Sequence, residues 1–279
     1  MTEEERISII SEDYVDGIID YRNNPAFLAQ FSEFNVHILN ESFAIIHVPA
    51  ANLNINTVSR FGYSTIPLMF GLVSEVSLEA SRVNLVRTVP TLNLRGQGIL
   101  VACIDTGIDY TNPVFMRPDG TTKIRAIWDQ TIQSTDGYPY DTFFGTEYRR
   151  EQINEALASE NPLDIVPSID ENGHGTMLAG VIAGNTVASE GFSGVVPDAE
   201  LVIVKLKPAK SVMKNFYAIP DDVLCYQENQ IMWGLHYCLL LSRELGQPMV
   251  ICVGLGTSQG AHEGRFPLGF YMTVLSSYP

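Results

Sequence analysis

Gly96-Gln97-Gly98-Ile99-Leu100-Val101-Ala102-Cys103-Ile104-Asp105-Thr106-Gly107-Ile108-Asp109 is the stretch that decides how this chain is read. Residues 99–104 are all apolar and run from one glycine turn into an acid and a second glycine. An unbroken apolar run of that length between turn signals predicts a strand buried on both faces, the habit of parallel sheets. An aspartate at the carboxyl end of such a strand lies where open α/β sheets place their working residues. Residues 201–206 and 249–253 repeat the pattern, the second leading into Gly254-Leu255-Gly256. Residues 174–184 predict a small-residue helix with Met177, Leu178, Val181 and Ile182 on one face. A long helix is expected from Asp221 and Asp222, whose charges suit a helix start, to the stop signal Gly246 and Pro248. Its expected stripe is Leu224, Ile231, Leu235, Cys238, Leu239 and Leu245. Strands alternating with helices predict an α/β fold with a doubly wound, mostly parallel sheet.

The second informative stretch is Asn172-Gly173-His174-Gly175-Thr176-Met177-Leu178-Ala179-Gly180, an imidazole entering that small-residue helix. A long excursion, residues 112–168, separates it from Asp105 and predicts a strand over 123–128 and a helix over 149–158. The first 70 or so residues have another texture. Short apolar runs at 17–21, 36–39 and 43–48 alternate with polar turns, predicting a small α+β unit with hairpins. Its own core would be marginal, so it is expected to fold against something else. Residues 71–97 read as a connector, helix-compatible at 77–80 and broken at Pro90.

At 279 residues, 46% hydrophobic and 18% charged, the chain can build a substantial core. A net charge of −15 without basic patches argues against nucleic-acid binding. No apolar run approaches a bilayer span, and the acidic Met1-Thr2-Glu3-Glu4-Glu5 start lacks the order of a signal peptide. Cys103, Cys225, Cys238 and Cys252 have neither zinc-ligand nor disulfide-framework spacing, so buried thiols in a reducing compartment are expected. No metal or other cofactor is expected, because Asp105 and His174 have no further convergent ligands at a suitable spacing.

An apolar strand ending in Asp105-Thr106-Gly107-Ile108-Asp109, followed by Gly173-His174-Gly175-Thr176 at the head of a helix, resembles the subtilisin-like serine proteases. The likeness is closer to the clostridial Csp-type germination proteases. It extends to Leu92–Gly98, Asp105–Pro113, Ile127–Thr131 and Gly254–Gly264, and covers the chain from about residue 60 onward. An aspartic protease would need a second Asp-Thr-Gly or Asp-Ser-Gly, and the sequence has none.

The resemblance implies an Asp-His-Ser endopeptidase. His174 would be the general base and Asp105 the carboxylate that fixes its tautomer, as the chemistry of an activated serine also requires. Gly254, Leu255 and Gly256 would pair with extended substrate by strand addition. Gly254 stands where relatives usually carry serine, a departure expected to alter a subsite without abolishing pairing. Residues 1–75 would be a propeptide-like domain, and residues 76–279 the N-terminal part of the peptidase domain. Autoprocessing is expected between Tyr63 and Arg82.

The nucleophilic serine is not expected in this chain. Gly256-Thr257-Ser258 spells the right tripeptide, yet Gln259-Gly260-Ala261-His262-Glu263-Gly264 follows instead of a small apolar helix. Ser258 is therefore expected at the cleft rim. The chain reads as a truncated piece or a degenerate relative, and retention of Asp105 with His174 favours the former. The function expected is proteolysis of a protein or peptide substrate, such as a zymogen in spore germination, with the chain alone inactive. The alternative is a pseudoprotease serving as a binding or signalling module. Its own propeptide is the other expected partner, and a cytoplasmic or spore-associated location is implied. His37, His47 and His236 are expected to be structural or surface residues.

Overall fold

A computed structural model describes residues 3–52, 62–72, 94–135, 137–260 and 263–277. In chain order the elements are α1 (Glu3–Ile10), β1 (Tyr14–Asp20), α2 (Pro25–Leu28), β2 (Asn35–Ile38), β3 (Phe43–Pro49) and β4 (Met69–Leu72). Then come β5 (Leu100–Asp105), β6 (Ile124–Asp129), β7 (Thr146–Arg149), α3 (Arg150–Ala158) and α4 (His174–Ala183). The rest are β8 (Glu200–Lys205), α5 (Ser211–Phe216), β9 (Tyr226–Gln227), α6 (Glu228–Leu245), β10 (Met249–Val253), β11 (Leu255–Gly256) and α7 (Pro267–Leu275). The connector reading at 77–80 and Pro90 lies outside the described residues.

The central sheet has the order β10-β5-β8-β6-β7, parallel throughout except for β7, which runs antiparallel to β6. Every residue of β5 is buried, as an apolar run without alternation requires. Successive side chains point to opposite faces. Leu100, Ala102 and Ile104 enter the core shared with α6, through Ile231, Leu235 and Cys238. Val101 and Cys103 enter the other core, shared with Ala179 and Ala183 of α4. The expected α/β fold with helices on both faces is what forms. Asp105 continues the parity of Val101 and Cys103, so the strand aims its carboxylate toward α4.

Two helix expectations need correction. The long helix starts at Glu228, not at Asp221. Residues 226–227 are drawn into a strand first, and Asp221, Asp222 and Leu224 lie exposed in the preceding loop. In α4 the buried residues are Gly175, Leu178, Ala179, Gly180 and Ala183, whereas Met177 is 49% exposed. Small residues face the sheet because the helix start lies hard against the turn after β5: a Cβ on Gly175 would collide with the Gly107 carbonyl oxygen.

The N-terminal sheet, β1-β3-β2, is antiparallel, with Ile18 opposite Ile45. It has no core of its own. Ile18, Phe43 and Ile45 join the α6 core, and Val15, Ile19, Ala44 and Ile46 pack with Ile66, Met69, Met213 and Cys225. Asp16 and His47 are opposed in register on one face and are fully buried, where they meet Lys210 and Gln227 of the larger unit. Cys103, Cys225 and Cys238 are buried and Cys252 is half-buried, all as thiols.

Candidate active site

Strand β5 delivers Asp105 and the N-terminus of α4 delivers His174. His174 Nδ1 lies 2.8 Å from Asp105 Oδ1. An ionised carboxylate can only accept, so Nδ1 carries the proton and Nε2 is the basic nitrogen. Asp105 Oδ1 also accepts the backbone N–H of Thr106 at 2.7 Å. Burial pushes the Asp105 carboxyl up, against the opposing pull of His174 and Thr106. Its Oδ2 is buried and accepts no hydrogen bond among the described residues. Gly254 closes that side: a Cβ there would strike Oδ2, and would lie 2.6 Å from Leu178 Cδ2. The lack of a side chain at this position is thus what lets the strand reach the carboxylate.

Glycines shape both loops. Gly107 (φ +125°) turns the chain after β5, and Gly173 (φ +85°) sets the left-handed residue before α4. Asp170 bridges them. Its Oδ1 accepts from Thr106 Oγ1 at 2.7 Å and from Gly173 N–H at 2.9 Å. Its Oδ2 accepts from Thr176 N–H at 2.8 Å and Thr176 Oγ1 at 2.7 Å. Burial works against the charge on Asp170, but the bonds from Thr176 and Thr106 outweigh it and hold the carboxyl below its ordinary value.

The glycine segment after β10 pairs with a strand from the N-terminal region. Strand β4 lies between β11 and β9, antiparallel to both, with Leu72 opposite Leu255, Gly71 opposite Gly256, Phe70 opposite Tyr226 and Met69 opposite Gln227. Leu68 and Phe70 enter the core with Tyr226, Leu255 and Leu268, and Met69 packs with Ala209 and Met213 on the other side. Glu228, wholly buried at the start of α6, pins the strand. Its Oε2 accepts from Leu68 N–H at 3.0 Å, and its Oε1 accepts from Leu268 N–H at 2.9 Å. Burial raises its carboxyl. Gln259 Oε1 accepts a further bond from Met69 N–H at 3.1 Å.

Ser258 is exposed in a bend after β11, and among the described residues no helix begins between it and Pro267. It lies four residues beyond Gly254. The other described histidines bond elsewhere. His47 Nδ1 lies 2.7 Å from Asp16 Oδ1, His37 Nδ1 lies 3.3 Å from His47 Nε2, and His236 Nε2 lies 3.1 Å from Asp141 Oδ1. Among the described residues no group of three or more His, Cys, Asp or Glu side chains could hold a metal ion. No described helix is long and apolar enough to cross a membrane.

Asp170, Glu228 and the strand β9 were not foreseen from sequence. Asp170 had a signal: an acid just ahead of a helix N-terminus is a capping candidate. Glu228 had none, because its partners are backbone amides far away in the chain.

Residues 96–219 match the model of the Subtilase family. No curated protein matches the chain. Among solved structures the chain is similar to the Clostridium perfringens CspB protease, at 30% sequence identity and a TM-score of 0.58 over 72% of this chain. The chain spans 39% of that protein's length. With the family match, the fold likeness and the arrangement of both motifs in agreement, residues 96–219 form part of a subtilisin-like domain, and the chain is similar in fold to a Csp protease.

Proposed function

We propose that this chain is the Asp–His part of a serine endopeptidase whose cleft holds a substrate-like strand from its own N-terminal region. The observation that carries the reading is the joint placement of the 2.8 Å contact between His174 and Asp105 and the β11-β4-β9 sheet beside it. A peptide bound by strand addition gains affinity from backbone pairing, and alternate side chains enter pockets. Strand β4 does both, and its direction is informative. The strand ends at Leu72, paired with Leu255, the neighbour of Gly254, which touches the Asp105 carboxylate. Its C-terminal end therefore points toward the dyad, and cleavage is assigned to the bonds that follow Leu72.

In the reaction, His174 Nε2 takes the proton of a serine hydroxyl as that oxygen attacks the peptide carbonyl, then returns it to the leaving amine. Asp105 holds the tautomer and stabilises the imidazolium. Gly254, Leu255 and Gly256 hold the substrate backbone. Residues 1–75 act as the propeptide-like unit, residues 76–279 as part of the peptidase domain, and the substrate is an extended polypeptide, a protein zymogen included. The nucleophilic serine is not assigned to any of these 279 residues. Ser258 is not the nucleophile, and the chain alone hydrolyses no peptide bond.

The test is fluorophosphonate labelling of the 279-residue chain and of a form carrying the serine-bearing segment. Labelling is expected only in the second, and is lost on His174→Ala. Hydrolysis of a peptide containing Leu68–Leu72 should follow the same pattern. Labelling of Ser258 in the shorter chain, dependent on His174, overturns the assignment. A serine-bearing form that neither labels nor cleaves returns the chain to the pseudoprotease reading.

A further inference from the structure

Asp170 touches neither Asp105 nor the His174 ring in any hydrogen bond, yet it sits at the crossing point of the two loops that carry them. Thr106 follows Asp105, and Thr176 lies two residues beyond His174. Both hydroxyls donate to the same carboxylate, Thr106 to Oδ1 and Thr176 to Oδ2. A hydroxyl has one proton and two lone pairs, so once Asp170 takes the proton each threonine can act only as an acceptor toward anything else. Each then accepts from the opposite loop. Thr106 Oγ1 receives the Gly175 N–H at 2.8 Å, and Thr176 Oγ1 receives the Asp109 N–H at 2.9 Å. The bonds form a reciprocal clamp, with Asp170 fixing the direction of both.

We propose that Asp170 is the positioning residue of the dyad: by orienting the two threonine hydroxyls it locks the turn after β5 to the start of α4, and so sets His174 against Asp105. The inference rests on the reading of Asp105 and His174 as the working pair. The arrangement also compensates for a weak helix. α4 begins His174-Gly175-Thr176 and contains Gly180, and glycine weakens a helix relative to alanine. Gly173, its N-cap, has no side chain to satisfy the first amides. Asp170 supplies that acceptor from upstream, to Gly173 N–H and Thr176 N–H. One carboxylate thus caps the helix and registers it against the sheet.

The experiment uses the 279-residue chain, so it needs no turnover. The Nδ1 proton of His174, shared with a carboxylate, should give a strongly deshielded proton NMR signal that disappears in Asp105→Ala. In Asp170→Asn, which keeps shape and one acceptor oxygen, one threonine loses its fixed direction. The signal should then vanish or broaden while the remaining spectrum stays folded. Thr176→Ser keeps the hydroxyl and should retain the signal, and Thr176→Val should lose it. The valine variant also serves if Asp170→Asn does not fold. In the serine-bearing enzyme, Asp170→Asn should lower kcat by about 10²-fold with KM unchanged, the effect of a small misplacement of a reacting group. An unchanged signal in folded Asp170→Asn and Thr176→Val overturns the clamp and leaves the dyad standing. A wild-type chain with no signal dependent on Asp105 overturns the dyad itself, and the clamp with it.

Discussion

Replacing Lys210 with methionine should loosen the N-terminal sheet from the rest of the protein. The Asp16 side chain has no exposure to water, and Lys210, whose side chain is 1% exposed, places Nζ 3.0 Å from its Oδ1. Removing one member of a buried ion pair leaves the other charge uncompensated and costs about 3–5 kcal/mol. Asp16 would still accept from His47 Nδ1 at 2.7 Å and Gln227 Nε2 at 2.9 Å, which places the expected loss near the lower limit. A loss of about 3 kcal/mol is roughly a hundredfold in an equilibrium constant. The damage should be local, since Asp16 and His47 belong to the N-terminal sheet and Lys210 and Gln227 do not. Hydrogen exchange should therefore rise in β1 and β3 and stay low in β5 and β8.

The acid response should also change sign. In the wild type burial pushes the Asp16 carboxyl up, but Lys210 and His47 outweigh it and hold it far below the ordinary carboxylate range. A group depressed in that way contributes stability that is present above its unfolded pKa, about 3.9, and is lost as pH falls below it. Without Lys210 the largest opposing influence is gone and burial dominates. The carboxyl should then rise above its unfolded value, so that acidification stabilises the docked state. A Lys210→Met protein with β1 and β3 exchange unchanged at neutral pH, or with the loss spread equally into β5 and β8, refutes this reasoning.

Other outcomes follow from neighbouring contacts. His37 is pushed down to about 4 by burial and by His47, against the pull of Glu5 and Asp141, and burial also lowers His47. Its contribution to docking is complete above the unfolded value of about 6.5 and is lost as pH falls toward 4. Exchange in β2 and β3 should rise over that window, and His37→Phe should flatten the dependence. Glu228→Ala strands the buried amides of Leu68 and Leu268. It should cost about 1–3 kcal/mol for each, read from the urea midpoint. Gly254→Ala drives a methyl into Asp105 and Leu178 and should cost about 1–3 kcal/mol, with the deshielded His174 proton lost.

Much of the fold was legible because buried parallel strands leave an unambiguous pattern. The runs at 99–104 and 249–253 have no polar interruption, that at 201–206 is broken only by Lys205, and each became a strand of the central sheet. The start of α6 was misread because Asp221 and Asp222 carry a helix-start signal that tertiary pairing overrides: residues 226–227 are claimed by β4. That pairing joins positions about 157 residues apart, and no local pattern announces it. For the same reason Asp105 and His174 stood out, each inside a motif, while Glu228 and the Asp16–Lys210 pair did not. Buried polar residues get their meaning from partners that only the folded chain brings together. Met177 shows the opposite limit. Its apolar side chain suggested a buried face, but the close approach of α4 to the turn after β5 admits only small residues there.

Most direct of all is the intact mass of the serine-bearing enzyme after purification, compared with its His174→Ala variant. If β4 is a substrate strand held in front of the dyad, the active protein is cut once, within the few residues after Leu72, and the variant is whole. An active peptidase whose chain stays uncut, or one cut on the N-terminal side of Met69, contradicts that placement.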